Sequence, residues 1–192
     1  MKLNKLFGIQ KIPDILNNLY IENTSKCNLK CKFCAYDKRD LQAVPYETMS
    51  QEMFENVVNQ ALKIGYKNIG LTPTTGDVFM DKKLFSKIDY LEKQEMLSGY
   101  FFYTNFIPTS KNDIDELFKL KKLKSMGISI YGHDENSFLK FSKGSHNAYL
   151  KLIENLKYLN DYINEDNLNF KLEISQRTEL NFDLSESNEE LS

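Results

Sequence analysis

Three cysteines, Cys27, Cys31 and Cys34, lie within one short stretch, and the chain has no others. An odd, tightly spaced set is a poor disulfide framework. The spacing CxxxCxxC puts the thiols on one loop, where buried structural cysteines would have no packing use. Metal or cluster binding is the expectation. Zinc would need a fourth ligand, and only His133 and His146 are available, neither at a paired ligand spacing. Thiolates are the usual ligands of iron–sulfur clusters, and a 4Fe–4S cube normally takes four. Three would leave one iron open to another ligand.

The rest of the chain alternates between two periodicities. Residues 19–21 read as a first strand, with the cysteines on the loop after it. Thr48 and Gln51 fit a capping box. Behind them Met53, Phe54, Val57, Val58, Ala61, Leu62 and Ile64 recur at helical spacing up to Gly65. Residues 68–71 read as a second strand and residues 72–80 as a loop. Leu84, Phe85, Ile88, Leu91 and Met96 mark a second helix stopped by Gly99. Residues 100–103 read as a third strand. Ile114, Leu117, Phe118 and Leu120 form a third helix behind Ser110 and Asp113. Residues 128–131 read as a fourth strand, Tyr149, Leu150, Ile153, Leu156 and Leu159 as a fourth helix, and residues 170–174 as a fifth strand, with Leu172 and Ile174 on one face.

Strand–helix alternation predicts an α/β fold with a parallel sheet. In such folds the chemistry gathers where the strands end. Residues 27–34, 74–77, 104–105, 131–133 and 175–178 should therefore meet at one mouth. Residues 1–18 read as a lead-in, 19–178 as the core, and the acidic stretch 179–192 as a poorly ordered tail.

The cysteine motif, with Phe33 before its last member and a strand before its first, resembles the radical SAM superfamily. The likeness runs over roughly residues 19–177. It implies an incomplete parallel (β/α) barrel, of which about five units are visible. It also implies a 4Fe–4S cluster on Cys27, Cys31 and Cys34, with S-adenosylmethionine (SAM) on the open iron. In that family one electron from the cluster cleaves SAM, and the resulting 5′-deoxyadenosyl radical abstracts hydrogen from a substrate. The substrate, small molecule or peptide, is not named by the residues. A flavodoxin or ferredoxin is the expected electron donor.

The resemblance also implies SAM contacts. Thr75-Gly76-Asp77 stands where the family often has Gly-Gly-Glu, which holds the amino group of SAM. Asp77 is one methylene shorter than Glu. Thr104-Asn105-Phe106 resembles Thr-Asn-Gly, so Thr104 would line the SAM pocket. Residues 128–132 resemble a segment whose serine approaches the ribose, which points to Ser129. A family arginine for the SAM carboxylate has Ser142 near its place, so Lys143 or Arg177 could take that role. His133, His146 and the aromatic run 101–103 read more simply as loop and core residues.

Charge and hydropathy exclude some classes. With 25 Lys and Arg against 27 Asp and Glu, the net charge is −2, and nucleic acid is not indicated. The N-terminus lacks the apolar run of a signal peptide, and no stretch approaches the roughly 20 apolar residues of a membrane span. The expected location is the cytoplasm. Two other functions stay open: a non-catalytic or truncated iron–sulfur protein that binds a partner, and a zinc module. The first is kept open by length, because the family core usually carries a sixth strand.

Overall fold

The structure is a computed structural model, and it describes residues 17–38, 40, 42, 45–71, 74–163 and 168–178. Most of the lead-in, residues 72–73 and the acidic tail lie outside the described residues. Among the described residues, five strands form one parallel, unclosed sheet in chain order: β1 (Asn18–Tyr20), β2 (Asn68–Leu71), β3 (Gly99–Thr104), β4 (Leu123–Tyr131) and β5 (Lys171–Arg177). Among the described residues, five α-helices connect them: α1 (Gln51–Ile64), α2 (Leu84–Glu92), α3 (Lys111–Leu117), α4 (Glu135–Ser142) and α5 (His146–Ile163). The α/β class and the open parallel barrel are as the sequence predicts.

The helices cover one face of the sheet. Ile69, Leu71, Tyr100, Phe102, Met126 and Ile128 point into that layer and are fully buried. They meet Phe54, Val58 and Leu62 of α1 and Leu84, Ile88 and Leu91 of α2. Each such side chain contributes roughly 1.5–3 kcal/mol by leaving water. On the other face Phe101 lies over Gly70, and Tyr103 lies over Gly127, where an added Cβ would come within 2.2 Å of the Tyr103 ring. Small residues on β2 and β4 thus make room for two aromatic rings from β3.

Several boundaries differ from the sequence expectation. The cap of α1 is Ser50, whose hydroxyl accepts the N–H of Met53 at 3.1 Å. Thr48 instead forms a bridge with Thr24, and the Gln51 side chain donates to Glu55 rather than reaching back. Gly65 does end α1, in the left-handed region at φ 109°. Helix α2 stops at Glu92, short of Met96, because the chain must turn to enter β3; Gly99 is that strand's first residue, not a helix stop. Strand β1 begins one residue earlier than predicted, though Ile21 still donates to the carbonyl of Gly70. Strand β4 starts earlier, at Leu123, and α5 starts at His146.

Strand β5 starts and ends later than predicted, so Ser175, Gln176 and Arg177 are strand residues rather than a loop. Leu172 and Ile174 do share a face, opposite Met126 and Ile128. Ile174 is nonetheless 58% exposed, as expected on an edge strand.

Helix α4 is absent from the sequence reading. It is only eight residues long, and Asp134 starts it: Asp134 accepts the N–H of Ser137, and the Ser137 hydroxyl accepts the N–H of Asp134. Gly132 permits the tight entry from β4, with φ at 95° and the backbone of Phe138 so close that an added Cβ would sit 2.4 Å from its nitrogen.

Candidate functional site

Parallel strands bring all five post-strand segments to one edge, and a cavity of about 430 Å³ opens there. That size suits a small-molecule site. Its wall takes residues from every strand end: Cys27, Cys31, Phe33 and Cys34 after β1, Thr75, Gly76 and Asp77 after β2, Thr104 and Asn105 at β3, Ser129 and Tyr131 on β4, and Arg177 on β5. Lys143 is not among the lining residues. It is the C-cap of α4 in the left-handed region, with its N–H on the carbonyl of Leu139.

The cysteine loop is closed at its neck. Thr24 bridges Thr48, Met49 donates to the carbonyl of Asn23, and Ser25 and Glu47 exchange hydrogen bonds. Below the neck a buried ion pair acts as an anchor. Lys87 Nζ lies 2.5 Å from Asp81 and 2.6 Å from the carbonyl of Met49, while Asn23 donates to the same Asp81 oxygen. Inside the loop the Tyr36 hydroxyl touches both the N–H and the carbonyl of Cys27, and Tyr36 stacks on Tyr46 at 4.4 Å.

The far side of the loop docks on α4. Lys30 and Lys32 donate backbone N–H groups to the carbonyls of Ser142 and Phe141. Free carbonyls at a helix C-terminus need such donors. Segment 140–144 therefore supports the cysteine loop in this structure. The helix was missed because its recognition needs the box of Asp134 and Ser137, a capping pattern with serine in the place usually held by Glu or Gln.

Cys31 is buried, and Cys27 and Cys34 are partly buried. Burial pushes the Cys27 thiol up to about 11, against the opposing N–H of Leu29. Burial also pushes Cys31 up to about 12, with Cys27 and Cys34 adding to the effect. Burial thus favours neutral thiols, and a thiophilic metal would displace their protons on binding. Among the described residues, no three His, Cys, Asp or Glu side chains gather closely enough to share one metal ion. A cube takes one thiolate at each of three separate irons and does not require such convergence. The donor chemistry and the spread along one cavity wall fit that group.

Asp77 is almost fully buried. Its carboxylate accepts the Thr104 hydroxyl at 3.0 Å, the Asn105 N–H at 2.7 Å and the Phe79 N–H at 3.0 Å. Its own N–H donates to the carbonyl of Lys26, beside Cys27. Burial outweighs these donors and pushes its pKa up to about 6. Thr75 leans on Glu22, its hydroxyl 3.5 Å from that carboxylate. Phe106 stands where the resemblance has Gly, and it holds the left-handed conformation that Gly would favour, at φ 64°.

Across the mouth, the Arg177 guanidinium lies 5.5 Å from the Phe33 ring centre, and Phe33 meets Tyr131 at 5.0 Å. Tyr131 is pushed up to about 12, chiefly by burial. The two histidines sit apart from the cavity wall: His133 bonds Thr178 at 2.7 Å and His146 bonds Glu135 at 2.5 Å. Also on the wall are Tyr36, which the sequence reading does not select, and Asn105 and Tyr131, which it places at the mouth.

A family model described as Radical SAM superfamily matches residues 21–170. Solved structures resemble the fold at low identity. BtrN in complex with AdoMet and 2-DOIA gives a TM-score of 0.59 at 12% identity, over 84% of this chain and 56% of that one. Native anSMEcpe with bound AdoMet and Cp18Cys peptide gives 0.61 at 19%, over 82% and 42%. Streptococcus suis SuiB bound to precursor peptide SuiA gives 0.58 at 17%, over 89% and 41%. This chain therefore spans from about two-fifths to just over half the length of these neighbours. No curated protein matches the sequence. Among the described residues, no helix is long and apolar enough to cross a membrane.

Proposed function

This chain belongs to the Radical SAM superfamily, and from that premise we propose that it holds a 4Fe–4S cluster on Cys27, Cys31 and Cys34 and binds SAM beside it. The observation that carries this is the shared wall: three thiols from one loop face the same cavity as Asp77, Thr104, Ser129 and Arg177. When bound, the pair supplies one-electron cleavage of SAM and, from it, hydrogen abstraction from a substrate.

The protein's part is positioning. Tyr36 and the α4 carbonyls fix the backbone that carries the thiols. Thr75 and Gly76 offer a close backbone approach for the amino acid part of SAM, and Asp77 holds that turn in place while its own oxygens are occupied by protein donors. Thr104 is spent on the same carboxylate. Ser129 is the hydroxyl on β4 suited to a ribose, and Arg177 is the cation on the wall suited to a carboxylate. Phe33 and Tyr131 offer aromatic faces beside it. A peptide or small molecule would be the substrate, and a flavodoxin or ferredoxin would supply the electron.

The test is anaerobic reconstitution with iron and sulfide, then SAM and dithionite. The expected result is a brown protein with broad visible absorption that forms 5′-deoxyadenosine, and a Cys31→Ala variant that does neither. A wild-type protein that takes up zinc in preference to iron and sulfide, or takes up neither, overturns the proposal. A loaded protein that binds SAM without cleaving it overturns the catalytic part alone.

A further inference from the structure

Asn105 is 6% exposed and is held on three sides. Its backbone N–H is on Asp77, its side-chain Oδ1 accepts the N–H of Ile107 at 3.1 Å, and its Nδ2 donates to Asn28 Oδ1 at 2.8 Å. Asn28 returns a bond to Asn105 Oδ1 at 3.3 Å. The Ile107 N–H settles which way the amide faces, because flipping it would set two donors against each other. Nδ2 therefore has one hydrogen on Asn28 and a second to place. The acceptor within reach is Cys27 Sγ, at 3.9 Å. The turn that fixes this aim is built by Phe106, whose N–H bonds the Thr104 hydroxyl and whose carbonyl is held by Asn155 at 2.8 Å.

We propose that Asn105 is a positioning residue for the cluster: its side-chain N–H donates to the sulfur of Cys27, orients that ligand and tunes the bound cluster's reduction potential. This rests on the reading that Cys27, Cys31 and Cys34 hold a 4Fe–4S cube. A donor aimed at a ligand sulfur stabilises the extra negative charge of the reduced cluster, so it raises the potential. The bond ties the β3 end directly to the first cysteine, through a chain that begins at Asp77 on the β2 loop.

Two measurements test it on the reconstituted full chain. The first is 15N electron–nuclear double resonance on the reduced cluster of protein labelled only at asparagine. A coupling is expected in wild type and in Asn28→Ala, which removes the labelled backbone N–H of Asn28 beside the same sulfur, and is expected to vanish when Asn105→Leu is added to Asn28→Ala. The second is a redox titration. Asn105→Leu should shift the midpoint to lower potential by about tenfold in the one-electron equilibrium, ~59 mV, and Asn105→Ser, which keeps a hydroxyl donor, should recover part of it. An unchanged midpoint, or a coupling that survives Asn105→Leu in the Asn28→Ala background, overturns the proposal while leaving the cluster reading intact. If Asn105→Leu fails to assemble, absence of coupling in labelled Asn28→Ala still overturns it, and its presence there supports it. Wild type that takes up no cluster overturns the cluster reading itself, and this proposal with it.

Discussion

The carboxylate of Asp77, on the loop after β2, accepts the backbone N–H of Asn105 at the end of β3, at 2.7 Å. The bond crosses two adjacent strand ends and sets the floor of the cavity. Because the carboxylate is also taken by Thr104 and Phe79, it serves as a structural knot at the centre of the site.

That knot should be visible in the pH dependence of stability. Burial raises Asp77 from 3.8 to about 6 on folding. The stability it contributes is complete below the unfolded value and is lost as pH rises through the folded one. A shift of this size corresponds to roughly 3 kcal/mol. Denaturant melts of cluster-free wild type and Asp77→Asn should show wild type gaining by that order relative to the variant between pH 7 and pH 4. A constant gap across the range would refute the assignment.

Phe106 sets strain against burial. Its left-handed φ costs on the order of 1 kcal/mol, which glycine would remove. Its ring is fully buried, and truncating such a ring costs about 3–5 kcal/mol. Burial wins, so Phe106→Gly should destabilise by roughly 2–4 kcal/mol despite restoring the family's residue. A variant as stable as wild type in urea would show that the strain term had been underestimated.

The anchor under the cysteine loop should be strongly one-sided. Lys87 and Asp81 are both inaccessible to water. Removing one partner strands the other charge, at about 3–5 kcal/mol. Lys87→Met is expected to lose that much, and Lys87→Met with Asp81→Asn less than the sum of the two single changes. Additive losses in the double-mutant cycle would count against direct coupling.

Docking of the cysteine loop on α4 predicts a pattern of amide exchange. Lys30 and Lys32 donate backbone N–H groups to the end of α4. Their amides should exchange more slowly than those of Asn28 and Phe33 in protein without a cluster. Equal, fast exchange along residues 28–33 would mean that the loop is not held there before loading.

Gly132→Ala is expected to uncouple α4 from β4. The left-handed φ disfavours any side chain, and the added carbon would meet Phe138 backbone at 2.4 Å. The variant should lose at least ~1–2 kcal/mol, and its Lys30 and Lys32 amides should exchange faster. Wild-type stability with unchanged exchange would show that the junction tolerates a Cβ.

What the sequence determined by itself was whatever is written in local pattern. The spacing of Cys27, Cys31 and Cys34 put three thiols on one loop, and the switching of hydrophobic period from strand to helix fixed the parallel α/β class. Parallel strands send their ends to one edge by geometry alone, so the common mouth followed as well. The sequence could not tell which of two neighbouring hydroxyls, Thr48 or Ser50, caps α1, because the choice depends on Thr24 arriving from elsewhere. Nor could it tell that segment 140–144 supports the cysteine loop, or that Asp77 spends its oxygens on Thr104 and Asn105. Hydrogen bonds between residues far apart in the chain form only once packing has brought them together, and a local pattern carries no record of which partner will fill them.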